Sequence, residues 1–290
     1  MANRRVLVRR RNSTRNIRKI TRTMQLIATA RFQAAFNRAT SSRPYTDKLA
    51  QLIAGLARAA TGLDHPLMAT HDDVPREALL VLTSDRGLCG GYNANVLRTV
   101  VEHLDAQAEA GVESLVTMVG KKGANYFKFR QREVAEVVAD VDDAPRFEQV
   151  EPVANRLMAA YTRGEIAALN VGYMKFISTG KQVPVVEKIL PLSYETAEGE
   201  DAAGEVLYEF SPSPQQLLDE LLPATVRVRL FQAFTDAAVS EQVARMVAMK
   251  SATDAAEDMI KSLTMQYNRA RQTQVTMELL DIVGGVNALA

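Results

Sequence analysis

The segment Thr83-Ser84-Asp85-Arg86-Gly87-Leu88-Cys89-Gly90-Gly91-Tyr92-Asn93 gathers the residue types that chemistry uses. It follows a short apolar run and precedes a helical pattern, the place where open α/β sheets bind ligands. Its glycines could bare backbone N–H groups to a phosphate. Yet it fits neither G-x-G-x-x-G nor G-x-x-x-x-G-K-[ST], and no lysine follows the glycines. Cys89 has no histidine near it in sequence to take its proton. Two readings stand open, a structural turn built on Gly87, Gly90 and Gly91, or a functional loop. Asp85 and Asn93 read as caps of the turn and of the helix start.

The remaining candidates are weaker. His65, His71 and His103 lack metal-ligand spacing with cysteines or acids, so no metal site is expected. Glu257 and Asp258 are adjacent and point in different directions on a helix, which excludes a carboxylate dyad. Arg269-Ala270-Arg271-Gln272 reads as a solvated face, and Met246 and Met249 read as core. No acid–base constellation survives, and no cofactor is implied.

The elements that would position these residues fall into three stretches, expected at 1–60, 75–195 and 212–290. In the first, Ile17, Ile20, Met24 and Ile27 step by three and four along one helical face. The helix is expected to persist to about Ser41, where Ser42-Arg43-Pro44 bends or interrupts it, with a second helix from Asp47 to about Ala60. In the middle, Ala78-Leu79-Leu80-Val81-Leu82 has the form of a buried parallel strand. A helix is expected from about Asn93 to Ala110, then a strand (Ser114–Val119), a short helix (Gly123–Phe129), a strand (Glu133–Val138) and a helix (Arg146–Arg163). Extended runs near Ala167–Ser178 and Val183–Pro191 follow. This alternation predicts an α/β sheet with helices on both faces.

Residues 195–211 are acidic and loop-like. From Ala224 to Val283 about sixty residues pass without glycine or proline, up to Gly284-Gly285. As one helix, at 1.5 Å per residue, this stretch is roughly 90 Å long. Such a rod needs cover from elsewhere. Ala252, Ala256, Met259 and Leu263 step by four, three and four, near the 3.5-residue period of a coiled-coil seam. Pairing with the N-terminal stretch would cover both.

Charge is uneven. Residues 1–46 contain no Asp or Glu but hold Arg4, Arg5, Arg9, Arg10, Arg11, Arg15, Arg18, Lys19, Arg22, Arg31, Arg38 and Arg43. An anionic partner is implied: nucleic acid, lipid or an acidic protein surface. A transit peptide would share this composition, but the helical pattern continues into the body of the chain. No run approaches eighteen apolar residues, and the single cysteine fits a reducing compartment.

Three blocks resemble the gamma subunit of F-type ATP synthase. They are Ser13-x-x-Asn16-x-x-Lys19-Ile20-Thr21-x-x-Met24 with Ile27-Ala28, then Ser84–Asn93, then Ser240-Glu241-Gln242-x-Ala244-Arg245-Met246-x-Ala248-Met249-Lys250-x-Ala252-Thr253-Asp254 with Tyr267-Asn268-x-Ala270-Arg271-Gln272 and Glu278. They span nearly the whole chain. The resemblance implies an antiparallel coiled coil of the terminal helices, with Ile20, Ile27, Ala252, Ala256, Met259 and Leu263 along its seam, around a central Rossmann-like α/β domain. It further implies a rotor inside a ring of three alpha and three beta subunits, seated on the epsilon subunit and the c-ring, with no active site of its own. Coupling to ATP synthesis would come by rotation, at the cytoplasmic side of a bacterial membrane, peripherally, with no nucleic acid. Arg22, Met24, Arg269, Arg271, Gln272 and Glu278 match contacts to the alpha/beta ring. The chain departs from the family at Ala255, usually Asn, and at Arg18 and Arg22, often Lys.

Overall fold

A computed structural model describes residues 4–59, 65–71, 73–139, 141, 143–192 and 214–289. The acidic loop at 195–211 and the Thr61-Gly62 end of the second expected helix lie outside the described residues. The elements are α1 (Arg4–Ala59), β1 (Arg76–Leu82), α2 (Tyr92–Glu109), β2 (Glu113–Val119), α3 (Lys121–Phe129), β3 (Glu136–Val138), α4 (Phe147–Thr162), β4 (Ala168–Ser178), β5 (Lys181–Leu190) and α5 (Pro214–Leu289).

The strands form one sheet in the order β3-β2-β1-β4-β5. The first four run parallel and β5 pairs antiparallel with β4. β1 sits at the centre and is buried on both sides, which explains its continuous apolar run. Leu79 and Val81 face a core with Val96, Leu97 and Val100 of α2 and Phe127 of α3. Ala78, Leu80 and Leu82 face the opposite core, with Val153, Leu157 and Tyr161 of α4 and Leu218, Leu222, Val226 and Leu230 of α5. Pro184 stands in β5 at the sheet edge, where a missing N–H breaks no ladder. β3 starts at Glu136 rather than the expected Glu133, because Gln131 turns the chain at φ 54° before it can pair with β2.

Two expected helix breaks, at Pro44 and at Gly284-Gly285, do not occur. α1 runs through Pro44 as one 56-residue helix. α5 starts at Pro214, runs through Pro223, and continues past Gly284-Gly285 for 76 residues in all. Proline at the first helical position loses no bond that the helix would have made. Inside, a proline or glycine costs about 1–3 kcal/mol, a small sum beside the backbone hydrogen bonds that propagate along helices of this length.

The chain divides into two compact units, Met1–Ala30 with Arg245–Ala290, and Arg31–Ala244. The α/β unit therefore takes in more of both long helices than the expected borders at 60 and 212 allow. Aromatic packing accounts for part of this. Phe32 and Phe36 of α1 stack at 5.7 Å on each other, and lie 6.4 and 5.9 Å from Phe176 of β4. Ala35, Ala39, Val239 and Val243 complete that cluster. Every residue from 233 to 243 is buried, and Ser240 Oγ donates to the Met174 carbonyl at 3.1 Å.

A polar cluster fastens the β4–β5 hairpin. Tyr173 Oη and Lys175 Nζ donate to Glu187 Oε2 at 2.7 and 3.1 Å, while Arg229 of α5 lies 4.0 Å from Oε1. Burial pushes the Glu187 carboxyl up, but the bonds from Tyr173 and Lys175 and the charges of Lys175 and Arg229 outweigh it and hold it low. Burial, then the bond to Glu187, pushes the Tyr173 phenol up. A carboxylate lowered in the folded state stabilises above its unfolded pKa, about 4.3, and stops doing so as pH falls through the folded value. Glu187→Gln should therefore lower the urea midpoint at neutral pH, and the gap to the native chain should close on acidification below about pH 4. A gap independent of pH would contradict the assignment.

Candidate functional site

The loop after β1 is tied from both sides. Ser84 N donates to Asn93 Oδ1 at 3.0 Å, and Asn93 Nδ2 donates to Ser84 Oγ at 2.7 Å and to Cys89 Sγ at 3.3 Å. Ser84 Oγ donates to the Arg86 carbonyl at 2.7 Å. Asn93 is the second residue of α2, and the cap position itself is Gly91, with no side-chain cap. Asn93 thus closes the loop instead of capping the helix. Asp85 Oδ1 accepts from Lys121 N at 2.9 Å, so it serves the start of α3. Cys89 is buried against Asn93 and Ser84, an amide and a hydroxyl, neither of which abstracts a thiol proton. The loop's polar groups bond one another, which favours the structural reading.

The glycines sort differently from expectation. Gly90 turns at φ 58° and Leu88 at φ 64°, a left-handed backbone that costs leucine strain. A Cβ on Gly87 or Gly91 would meet only side-chain atoms of Lys122 or Asn95, at 3.6 and 3.4 Å. Two glycines that drew no notice are the constrained ones. A Cβ on Gly120, at φ 91°, would lie 2.2 Å from the Thr83 carbonyl oxygen, and one on Gly123 would lie 2.4 Å from Met118 Sδ. Thr83 Oγ1 accepts from Gly123 N at 3.0 Å, so the β1 and β2 ends interlock there. The G-x-x-G spacing after a strand was the available signal.

The second candidate is the paired-helix unit. Thr253 Oγ1 donates to Thr21 Oγ1 at 2.8 Å, Thr14 Oγ1 contacts Met259 Sδ at 3.6 Å, and Arg11 lies over the Tyr267 ring at 5.0 Å. Numbers fall on α1 as they rise on α5, so the pair is antiparallel. Within this unit the buried positions of α1 are Leu7, Thr14, Thr21 and Ala28, spaced by seven, and those of α5 include Met249, Thr253, Ala256 and Leu263.

The seam corrects the expected one. Ile20 and Ile27 are 58 and 50% exposed and Ala252 is half-buried, while Ala256 and Leu263 are buried and Met259, though 56% exposed, still brings its sulfur to Thr14. A hydroxyl bond between helices requires close axes, and small residues permit that where isoleucine would not. Threonine at seven-residue spacing was legible, but an apolar-stripe search passes over it.

Arg269, Arg271, Gln272 and Glu278 are exposed on α5, with Gln274 Nε2 donating to Glu278 Oε1 at 2.8 Å. Arg22 is exposed and bonds Gln25 Oε1 at 2.9 Å, and Met24 is half-buried. The pairing sets Arg22 level with the Thr253 region, roughly 25 Å along the axis from Arg269. The six expected contact residues therefore form two groups. Among the described residues no cluster of histidine, cysteine and acid could hold a metal ion.

A family profile described as ATP synthase matches residues 3–289. The ATP synthase gamma chain of Rhodopirellula baltica is 47% identical over all of this chain and 99% of its own length. The chain belongs to the ATP synthase gamma chain family. The gamma chain of Saccharopolyspora erythraea is 39% identical over the whole chain and 98% of its own length. In structure, a chain of the Euglena gracilis mitochondrial ATP synthase OSCP/F1/c-ring assembly superposes with a TM-score of 0.70 at 17% identity, covering 99% of this chain and 94% of that one. A rotor chain of the same source gives 0.65 at 16%, covering 94 and 98%. These likenesses give the gamma-chain fold.

Gly120→Ala should cost on the order of 3 kcal/mol, since backbone and φ both forbid the methyl, while Gly87→Ala should stay within about 0.5 kcal/mol. Chemical unfolding of the two variants tests the contrast, and equal costs would refute it.

Proposed function

We propose that this chain is the central-stalk rotor of an ATP synthase, transmitting rotation between a membrane ring and the catalytic ring, and carrying no catalytic residue itself. The observation that carries this is the far end of α5. Level with Tyr267 the helix meets α1's first turns, and beyond about Gln274 it has no described α1 residue beside it. There Val275, Met277, Leu279, Leu280, Ile282 and Val283 are 48–64% exposed. A run this apolar needs an apolar surround, and in this family the ring of alpha and beta subunits supplies it. A greasy bearing suits rotation, because each fixed ion pair would add a barrier at every step.

Below that end the surface turns polar at Arg269, Arg271 and Gln272, and these, with Glu278 inside the apolar run, form the contact to the ring's moving loops. Arg22 and Met24 form a separate contact lower on the shaft. The α/β unit, by its kinship, meets the epsilon subunit and the c-ring, and the structural neighbours include central-stalk and c-ring assemblies. The anionic partner of the basic segment is then acidic protein, with no part for nucleic acid. No described helix is long and apolar enough to cross a membrane; by kinship we read the attachment as peripheral, at the cytoplasmic face of a bacterial membrane. ATP chemistry resides on the partners, and the loop at 83–93, its polar groups bonded inward, supports that division.

Affinity purification of the tagged chain from its own cells should recover ATPase activity together with alpha- and beta-type subunits. Their absence would sink the rotor reading. Arg271→Ala combined with Gln272→Ala should lower ATP synthesis or hydrolysis by the assembled complex roughly five- to tenfold, the scale of one or two lost interfacial hydrogen bonds, with subunit composition intact. Unchanged turnover would remove these residues from the contact.

A further inference from the structure

The start of α1 is built against its own physics. Helix N-termini favour anions, since their free N–H groups carry partial positive charge. This helix has no acid in its first turn and places Arg4, Arg5, Arg9, Arg10 and Arg11 within its first eight residues. Arg5 and Arg9, and Arg11 and Arg15, stand at the i, i+4 spacing where like charges repel. No acid in residues 1–46 relieves them. Yet the segment is helical from Arg4 onward.

Two guanidinium groups show what holds it. Arg11 Cζ lies 5.0 Å and Arg4 Cζ 5.9 Å from the centroid of the Tyr267 ring on α5. Arg4 and Arg11 are seven residues apart and flank Leu7, which is buried. The Nε of Arg11 is inaccessible and has no hydrogen-bond partner. A buried cationic donor left without an oxygen is costly, and here the face of an aromatic ring is what the charge meets.

We propose that Tyr267 is a positioning residue that clamps the first turns of α1 through its ring, which takes the guanidinium groups of Arg4 and Arg11. The ring is the working part, and the hydroxyl is not. The clamp is independent of the rotor reading.

Hydrogen exchange on the full chain tests this, with the amides of β1 and β4 as an internal control of folding. In Tyr267→Leu, which keeps apolar bulk without a π face, amides of residues 6–12 should exchange about tenfold faster or more. Tyr267→Phe should stay within about twofold of the native chain, and Tyr267→Trp should exchange no faster. The decisive arm is a cycle: with Arg4→Gln and Arg11→Gln already in place, Tyr267→Leu should have little further effect. If the control amides show that the leucine chain does not fold, Tyr267→Met takes its place. A phenylalanine chain as fast as the leucine chain, or the same loss with and without the two arginines, would overturn the clamp and leave simple packing.

Discussion

Two hydroxyls 2.8 Å apart, on Thr21 and Thr253, can meet across a helix pair only when the helices lie unusually close, and the paired-helix unit is organised by that closeness. Side chains the size of leucine hold helices about 8–10 Å apart. Here the facing residues include Thr14, Ala28, Ala256 and the two threonines. Each hydroxyl also lies within reach of its own helix, Thr253 Oγ1 2.7 Å from the Met249 carbonyl oxygen and Thr21 Oγ1 3.1 Å from that of Arg18, and the two hydroxyl protons are shared among these three contacts. Their polar atoms are thereby satisfied without water. Because the small face is used for pairing, the bulky face is left outward, which is why Ile17, Ile20, Leu26 and Ile27 are exposed.

The same helix answers to different neighbours along its length. In the α/β unit, α5 lays Leu218, Leu222, Val226 and Leu230 on the sheet and is then buried on every side from 233 to 243. In the paired unit it shows one narrow stripe, and past Tyr267 it is bare. A helix apolar in different directions at different heights has almost no net amphipathic direction when taken whole, so a whole-helix periodicity is uninformative while short windows are not.

That pattern explains what the sequence disclosed. The α/β core was legible because each strand is a short apolar run between turn residues, and each helix is amphipathic against one sheet face. Boundaries there move by only a few residues. Helix ends at Pro44 and Gly284-Gly285 were misread, since one unfavourable residue is a small term beside the cooperative hydrogen bonding of a long helix. The seam was misread because threonine does not register as apolar, although its seven-residue spacing was in plain view. The glycines at 87 and 91 drew attention through their loop, while Gly120 and Gly123 were passed over. Only the crossing of β1 and β2 reveals that their missing side chains matter. The clamp at Tyr267 joins residues 256 and 263 positions apart, a relation that no local window contains.

The acid-free beginning of α1 has one more consequence. Of its twelve cations through residue 46, eleven are arginine and one is lysine. Arginine keeps its proton at any pH that a cell reaches. The segment holds no histidine and no carboxylate side chain, the groups whose charge ordinarily changes between about pH 3 and 8. Glutamates or histidines in that stretch would make the field of this helix rise and fall with the pH around it. A part that turns beside a proton current thus presents its partners with guanidinium groups, a kind of charge that does not follow the pH around it.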